Sequence, residues 1–466
     1  MPSIIGRAVL LTQSRECTHA NAFAHLLPDV SGQYHCAMQD KTPKRVLLVS
    51  SVEPDGTLIE TIFDQEAGRT ALLVARGDAL EITPEIERSG QRIVPVNAAN
   101  NLLKHRAVLL PSEAADFANI DDLAEDIAAY IERYVYLSGD ALQLAVGYVL
   151  LSWVYDAFHE VPYLRFRGDY GTGKTRALLV VGSITYKPFF ASGASTVSPI
   201  FHTLNTFRGT LIFDEADFRF SDEKAELVKI LNNGNVDGFP VLRTQVTNSK
   251  EFDPRAFLVF GPKLVGMRGH YEDRALESRF LTIEMEPGRA AHVPINLPDA
   301  QENDALCLRN KLLMYRLRTR LNVRLDPTLA DPALEPRMNQ ILLPLLSVAS
   351  NSEMQRAILS AAQALQGGIV AERGISSEGR ILAVIGAHSS DRLPLATITA
   401  AFSAEYGSEY DRSITSRWIG SVLRRLGLSL YKSDGIYVLA PGQRRHIEAL
   451  CARYGIAVDI EGKNSA

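Results

Sequence analysis

Cysteine is scarce in this sequence, with four residues among 466. They are too few and too scattered to staple a chain of this length, which excludes a disulfide-built scaffold and favours a reducing, cytoplasmic location. Two cysteines and two histidines near the N-terminus could ligate zinc, but their spacing matches no recurrent ligand pattern, so we predict no metal there. The cysteines are Cys17, Cys36, Cys307 and Cys451, and the histidines are His19 and His35.

Long apolar runs and an excess of positive charge are also missing. The most apolar stretch, between Asp140 and Asp156, is short for a bilayer and predicts a buried helix, so we expect no membrane partner. Arg7 and the polar residues that follow interrupt any run suited to a signal peptide. Lysine and arginine number 49 against 54 aspartate and glutamate residues, a formal net charge of −5. Any nucleic-acid contact must therefore come from local basic features.

The chain is long enough for about three domains. Its 46% hydrophobic and 22% charged residues are typical of a folded protein. We predict a β-rich module of unknown role in residues 1–120, a core with preceding helices and a helical lid in 121–350, a linker in 351–375, and a further domain in 376–466. The strands predicted in the first module are 46–50, 57–63, 71–74, 94–96 and 107–110.

One motif has a specific chemical meaning. It fits the pattern G-x-x-x-x-G-K-[ST], and it lies after a predicted strand at 163–166 and before a predicted helix, which an ordinary glycine-rich turn would not require. Glycines let backbone N–H groups surround phosphates, and the helix N-terminus adds a favourable dipole. Lys174 would reach the β and γ phosphates and Thr175 would ligate magnesium, which predicts ATP and Mg²⁺ as cofactors. The motif consists of Gly168, Asp169, Tyr170, Gly171, Thr172, Gly173, Lys174 and Thr175.

A second predicted strand, 210–213, ends in the acidic pair Asp214 and Glu215. At the carboxyl end of a parallel strand beside the phosphates, Asp214 would hold the magnesium and Glu215 would polarise the attacking water. Such a pair alone is commonly a strand end or a helix cap. Its position after the phosphate-binding motif and after a strand favours the catalytic interpretation.

These residues resemble the AAA+ ATPases, and among them the ring-forming helicases of the minichromosome maintenance type and the superfamily 3 helicases of viruses and mobile elements. The resemblance covers about residues 163–349. It is carried by the phosphate-binding motif, by 191–196 and by Phe213-Asp-Glu-Ala-Asp217 with the helix that follows. It implies an α/β fold with an AAA+ P-loop core, in which a parallel sheet has helices on both faces.

Within the resemblance, residues 239–255 predict a β-hairpin with Lys250 near its tip. In the family a hairpin here projects into a central channel, and its lysine holds the DNA backbone. One or two cations per subunit suffice for such a grip, which reconciles DNA binding with an acidic chain. Arg243 is a second candidate for DNA binding. A solvated surface hairpin is the alternative.

The segment Asp273 to Phe280 is similar to the family segment that supplies an arginine finger to the neighbouring subunit's ATP. We predict Arg279 in this catalytic role, with Arg274 in reserve, because a guanidinium neutralises charge that develops on the γ-phosphate. An ordinary ion pair with Asp273 or Glu277 is the alternative. Arg337 resembles the second sensor arginine.

One departure from the family concerns the residue that orients the water. The family has an asparagine or a similar polar residue at the end of the strand that we predict at 256–260. This chain continues there with Gly261-Pro262-Lys263, so Lys263 is the candidate replacement, unless the role is missing. Asn232 and Asn233 lie close enough to this segment in sequence that either could be mistaken for the family's water-orienting asparagine.

Residues 376–440 read as three helices followed by two short strands around Ser433-Asp434-Gly435, which predicts a C-terminal winged helix. The third helix offers Arg417, Arg424 and Arg425 on its outer face, where they could meet phosphates. Winged helices also bind proteins, so DNA binding and protein binding both remain open.

The sequence as a whole predicts an ATP-dependent DNA helicase or translocase that forms a ring, with a hexamer expected, for replication of a mobile element or plasmid. Its expected partners are copies of itself, single-stranded or forked DNA, and a primase or another replication protein. The alternative is an ATP-switched DNA-binding initiator, loader or regulator without unwinding activity. An ATPase that remodels proteins is a third possibility, because the chain has no general basic bias.

Overall fold

The computed structural model describes residues 44–214, 222–246, 252–271, 273–286, 292–388, 392–410 and 413–457. The four N-terminal residues considered above for zinc lie outside these ranges. Within them, no helix has the length and apolar character needed to cross a membrane. The chain from Lys44 onward forms one compact unit.

Residues 44–94 form two small β-sheets. One sheet has the order β1-β7-β6 and the other is the antiparallel series β2-β3-β4-β5. The predicted strand at 107–110 is not formed, although Val108 bridges to Phe189. The strands are β1 (Lys44–Leu47), β2 (Ser50–Val52), β3 (Leu58–Asp64), β4 (Arg69–Arg76), β5 (Ala79–Thr83), β6 (Ile86–Arg88) and β7 (Gln91–Val94).

Three helices follow, α1 (Asn101–Lys104), α2 (Ile120–Tyr134) and α3 (Gly139–Val154). Helix α2 is amphipathic, and Asn119 caps it by accepting a hydrogen bond from the backbone N–H of Asp122. Helix α3 is apolar on nearly all sides and is buried in the main core. This agrees with the buried helix expected between Asp140 and Asp156.

The central element is a five-stranded, wholly parallel sheet in the order β14-β8-β13-β10-β9. Parallel strands need crossover connections, and helices α4, α5 and α6 supply three of them. This is the parallel α/β core that the sequence predicts. Its elements are β8 (Tyr163–Arg167), α4 (Lys174–Ser183), β9 (Phe189–Ser192), α5 (Val197–Phe207), β10 (Leu211–Asp214), α6 (Asp222–Asn233), β13 (Lys263–Met267), α7 (Arg274–Glu277) and β14 (Phe280–Glu284).

The strand prediction at 256–260 is wrong. The hairpin expected at 239–255 is present, as the antiparallel strands β11 (Val241–Val246) and β12 (Phe252–Phe257), and its second strand extends to Phe257. The central strand β13 comes later, at Lys263–Met267. Every residue of β13 is buried, including Lys263 at its start. A strand that begins with lysine and contains Gly266 lacks the continuous apolar run by which a buried parallel strand is recognised.

The helical region consists of α8 (Ala300–Thr319), α9 (Pro336–Val348) and α10 (Ser352–Ile375). The predicted linker at 351–375 forms α10, which packs on α3 through the buried Met354 and Ile358. Gly147 of α3 permits this approach, because a Cβ there would lie 3.2 Å from Cδ1 of Ile358.

The C-terminal part has the predicted order of three helices and a hairpin, followed by one more helix. Its core includes Ile381, Ile398, Phe402 and Val422. The elements are α11 (Ser377–Gly386), α12 (Leu395–Tyr406), α13 (Ser416–Arg425), β15 (Leu430–Ser433), β16 (Ile436–Leu439) and α14 (Arg444–Arg453).

Candidate nucleotide site and the opposite edge of the sheet

The motif 168–175 forms a loop between the carboxyl end of β8 and the first turn of α4. Gly171 and Gly173 have φ values of +73° and +90°, a region that glycine adopts without steric cost. A Cβ at Gly168 would lie 2.6 Å from the Met285 carbonyl oxygen and 2.7 Å from Thr172 Oγ1. The glycines thus permit a tight loop that a side chain would distort.

The side chain of Lys174 bonds to the backbone of this loop. Its Nζ donates hydrogen bonds to the carbonyl oxygens of Gly168 and Asp169, at 2.7 and 2.6 Å. A phosphate oxygen carries more negative charge than a carbonyl oxygen, so phosphates entering the loop would compete for the same ammonium group. The loop therefore fits the triphosphate that the motif predicts.

Thr175 and Asp214 meet across two neighbouring elements. Thr175 Oγ1 donates a hydrogen bond of 2.8 Å to Asp214 Oδ2. Strand β13 lies between β8 and β10, and its Gly266 leaves room for the carboxylate, since a Cβ there would lie 3.0 Å from Asp214 Oδ1. A hydroxyl and a carboxylate are oxygen ligands of the kind Mg²⁺ takes together with substrate phosphates. Glu215, the next residue, lies outside the described ranges.

In the described residues there is no cluster of three or more histidine, cysteine, aspartate or glutamate side chains that could hold a metal alone. We call the loop 168–175 the P-loop. Magnesium bound with a nucleotide at such a loop does not need a cluster of protein ligands, because phosphates and water complete its coordination. The pair Thr175 and Asp214 fits such a shared site.

A cavity of about 280 Å³ opens beside the loop. Arg176 shapes one wall by donating hydrogen bonds to the carbonyl oxygens of Pro294 and Ile295. The contacts of Arg176 with Pro294 and Ile295 are not predictable from the sequence, because no local pattern links segments so far apart in the chain. The lining includes Val135, Tyr136, Gly171, Thr172, Met285, Val293 and Ile295.

Arg279 lies at the other end of the sheet. Its carbonyl oxygen accepts a hydrogen bond from the N–H of Tyr163, so it stands where β8 and β14 begin. We call this end, with Arg279, Glu160 and Arg337, the amino edge. The five residues of β14 span roughly 16 Å at the usual rise per residue, which separates Arg279 from the P-loop of its own chain.

The ion-pair alternative for Arg279 is not what the structure has. Its Nε donates to Asn235 Oδ1 at 2.7 Å and its Nη1 to Asn232 Oδ1 at 3.0 Å. Glu277 instead binds Arg165. Burial and the nearby Arg337 lower the pKa of the Arg279 guanidinium, although an arginine remains charged at neutral pH.

Arg337 lies at the start of α9, also at the amino edge. Its Nη1 is 2.5 Å from Glu160 Oε1. Arg274 begins helix α7, but its side chain lies outside what the structure describes. The structure thus brings Arg279 and Arg337 together on one edge, away from their own P-loop.

Lys263 does not stand at the phosphates. It begins β13 and is buried at the end of the sheet opposite the P-loop, with its Nζ 4.8 Å from the centre of the Tyr163 ring. Three backbone carbonyls, those of Gly234, Val259 and Gly261, accept its hydrogen bonds at 3.1, 2.9 and 2.9 Å. The expectation that Lys263 orients the attacking water is therefore wrong. It rested on a strand at 256–260 that would end just before Lys263, whereas Lys263 is the first residue of the strand that forms, β13.

The residue that follows β13 at its carboxyl end is Arg268. Its guanidinium carbon lies 4.3 Å from the centre of the Tyr170 ring in the P-loop. A Cβ at Gly266 would point at Asp214 and at Leu178 of helix α4, and alternation along a strand directs Arg268 to the same face. Arg268 is the cation that sequence reasoning missed, and the correct strand boundary would have found it.

The candidate DNA-binding residues have different surroundings. Lys250 lies outside the described ranges. Arg243 contacts both carboxylate oxygens of Glu226, at 3.0 and 3.1 Å, and stacks 5.1 Å from the centre of the Phe201 ring, so it anchors the hairpin to α5 and α6.

On α13, Arg417 and Arg424 are exposed, and Arg425 donates to Glu378 at 3.1 Å. The neighbouring hairpin exposes Tyr431 and Tyr437. Exposed cations and exposed aromatic rings can each contact nucleic acid, and they can equally contact a protein.

No model of a known protein family matches the chain, and no curated protein matches it. Among solved structures, the chain is similar to the apo C-terminal region of NrS-1, with 14% identity and a TM-score of 0.36 over 82% of this chain and 96% of that one. It is also similar to Cch of SCCmec type IV, titled an active helicase, with 12% identity and a TM-score of 0.40 over 90% and 82%. A third is a full-length MCM homolog from Methanopyrus kandleri, with 11% identity and a TM-score of 0.33 over 68% and 79%.

Proposed function

We propose that this protein is an ATP-dependent DNA helicase or translocase that assembles as a ring, most simply a hexamer. The observation that carries the proposal is the separation of the P-loop from Arg279 by the length of one parallel sheet. An arginine so placed cannot complete its own subunit's site, but it can complete that of a neighbour in a head-to-tail ring.

The residues at the carboxyl end of the sheet would bind and orient the nucleotide. The backbone of 168–173 and Lys174 would hold the phosphates, and Thr175 with Asp214 would hold Mg²⁺. The ion, when bound, would neutralise charge on the phosphate oxygens. Glu215 would orient the attacking water, and Arg268 takes the place that we had expected for Lys263.

The neighbouring subunit would contribute its amino edge. Arg279 would stabilise negative charge on the transferred phosphoryl group, with Arg274 as the reserve and Arg337 as a second arginine beside it. Because the site is divided between two chains, hydrolysis would require assembly.

DNA contact is proposed at two places. Lys250 on the hairpin 241–257 would grip the backbone of single-stranded or forked DNA inside the ring. Arg417 and Arg424 on α13, in a module that we interpret as a winged helix, would contact phosphates outside it. Replication of a mobile element or plasmid in a prokaryotic cytoplasm, with a primase or another replication protein, is the process that we propose.

A second candidate is an ATP-switched initiator, loader or regulator that binds DNA without unwinding it. The exposed Arg417 and Arg424 of α13 favour it, because their contact with DNA would not depend on a ring. Unwinding of a forked duplex with ATP distinguishes the two functions.

The test of the ring begins with Lys174→Ala, which we expect to abolish ATP hydrolysis, and Arg279→Ala, which should lower kcat by about 10³-fold. Arg279→Ala subunits should also inhibit wild-type subunits when the two are mixed. Native mass measurement should show a closed oligomer whenever ATPase activity is present. A monomer that hydrolyses ATP at the full rate would refute the proposal.

A further inference from the structure

The surroundings of Arg279 contain a pattern that the proposed function does not yet use. Asn232 and Asn235 each stand between this arginine and a carboxylate. Asn235 accepts from Arg279 Nε and donates through Nδ2 to Glu160 Oε1 at 2.9 Å. Asn232 accepts from Arg279 Nη1 and donates through Nδ2 to Asp273 Oδ2 at 2.9 Å.

The orientation of both amides follows from chemistry. A guanidinium can only donate hydrogen bonds and an ionised carboxylate can only accept them, so each amide oxygen must face Arg279 and each NH₂ group must face the acid. The two asparagines therefore have matching roles.

The consequence for Arg279 is electrostatic. Its guanidinium donates to two side-chain amides and to the backbone carbonyl of Ala275, all of them neutral acceptors that fix its direction without neutralising it. Glu160 is paired with Arg337 and Glu277 with Arg165. Asp273 accepts hydrogen bonds from Asn232 and from the N–H of Ala275, so it acts on Arg279 through space and not by a direct hydrogen bond. A direct pair with a carboxylate would compete with a phosphate for the same charge.

The backbone makes this arrangement rigid. Asn235 is fully buried, and its carbonyl oxygen accepts a hydrogen bond from the N–H of Val161 at 2.9 Å. Between the two asparagines, the carbonyl of Gly234 accepts from Lys263 Nζ and from the N–H of Gly261. The turn after α6 is thereby tied to β8 and to the start of β13.

We infer that Asn232 and Asn235 are positioning residues that hold Arg279 oriented toward the neighbouring subunit's ATP and separate it from Glu160 and Asp273. This inference rests on the proposed function of Arg279. The two asparagines would influence ATP hydrolysis by orienting Arg279, and they would not contact the nucleotide.

Asparagine-to-aspartate changes test the inference, because they preserve shape and replace a neutral acceptor by a charged one. In Asn232→Asp or Asn235→Asp the new carboxylate pairs with Arg279 and repels Asp273 or Glu160. We expect kcat for ATP hydrolysis to fall by about tenfold to a hundredfold, while the KM for ATP changes less than about twofold, since the P-loop is untouched.

The matched control is Asn233→Asp, which makes the same charge change one residue away. The Asn233 side chain donates to the Lys229 carbonyl at 2.8 Å, within its own helix. It should leave kcat unchanged. Thermal unfolding of all three variants shows whether any of them has lost its fold. If Asn235→Asp has, the kcat of Asn232→Asp, at a half-buried position, tests the inference.

Mixing experiments separate a positioning role from a structural one. Asn232→Asp subunits have an intact P-loop, and Lys174→Ala subunits have an intact arginine, so a mixture should regain activity at roughly one site in four. Arg279→Ala mixed with Lys174→Ala should behave in the same way.

The outcomes distinguish the inference from the proposed function. If Arg279→Ala is fully active, the proposed function fails. If Arg279→Ala is inactive and complemented, yet both aspartate variants of 232 and 235 match wild-type kcat, the inference is overturned. An equal loss in Asn233→Asp would also overturn it, because the effect would then be one of general charge.

Discussion

At the scale of single residues, Lys263 shows what burial does to an ammonium group. Burial lowers its pKa to about 7, while three backbone carbonyls accept its hydrogen bonds. The residue joins the hairpin's return segment, the end of α6 and the central strand. Lys263 is a structural residue, although its place in the sequence predicts a catalytic one.

This lysine should give stability a measurable pH dependence. Its pKa is about 7 when folded and ordinarily 10.5, so between these values the unfolded chain binds a proton that the folded chain lacks. Stability therefore rises with pH in this window, by at most about 1.4 kcal/mol per pH unit. Urea unfolding across the window should show a steeper rise in the wild type than in Lys263→Met, where the buried Lys187, with its pKa lowered to about 8, still contributes. Parallel pH profiles of the two proteins would contradict the assignment.

At the scale of elements, the hairpin 241–257 is fastened at its base. Arg243 binds Glu226 of α6 and stacks on Phe201 of α5, and it faces Arg255 across the hairpin. A cation held in this way serves the hairpin's attachment first. Loss of Arg243 should therefore loosen the hairpin, whereas loss of Lys250 should affect DNA binding.

Lys250→Ala should leave basal ATP hydrolysis within about twofold of wild type and stop strand separation, because it would remove the proposed grip on the DNA backbone and no proposed nucleotide contact. The measurements are ATPase rates and unwinding of a forked duplex. Lys229→Ala, which removes an exposed lysine of α6, is the matched control and should unwind normally. Unchanged unwinding by Lys250→Ala would remove the hairpin from the mechanism.

At the scale of the whole molecule, a buried ionic cluster joins the N-terminal sheets to the helical core. Glu60 of β3 lies 2.7 Å from both Lys187 Nζ and Arg316 Nε, and Arg316 also binds Asp156 at 2.8 Å. Burial alone would raise the pKa of Asp156, but Arg316 and Arg320 lower it to about 2. The N-terminal strands thus share charged contacts as well as apolar packing with the core.

Removing one charge from this cluster should cost stability. Glu60→Gln would leave Lys187 and Arg316 buried with one fewer negative charge, and we expect the free energy of unfolding to fall by about 3–5 kcal/mol. Chemical denaturation measures the change. Glu81→Gln, at an exposed ion pair with Arg76, is the control and should cost less than about 1 kcal/mol. Equal effects at the two sites would show that burial of the cluster contributes little.

The sequence by itself determined the features that depend on short stretches of chain. The candidate phosphate-binding loop is set by glycines that permit its φ values and by a lysine and a threonine at fixed offsets, so its motif predicts its place. The acidic end of the strand at 210–213 separately predicts Asp214, which accepts a hydrogen bond from Thr175. The apolar helix α3 and the sheet's parallel character were also readable, because burial and crossover leave periodic patterns.

Only the tertiary structure decided which residues meet at each end of the sheet. Arg268 stands beside the P-loop and Lys263 does not, since strand alignment, and not distance along the chain, brings side chains to an edge. Arg279, Asn232, Asn235 and Glu160 come from three separate segments that crossover connections bring together. No local propensity encodes such a meeting, because its energy comes from contacts that exist only once the sheet has formed.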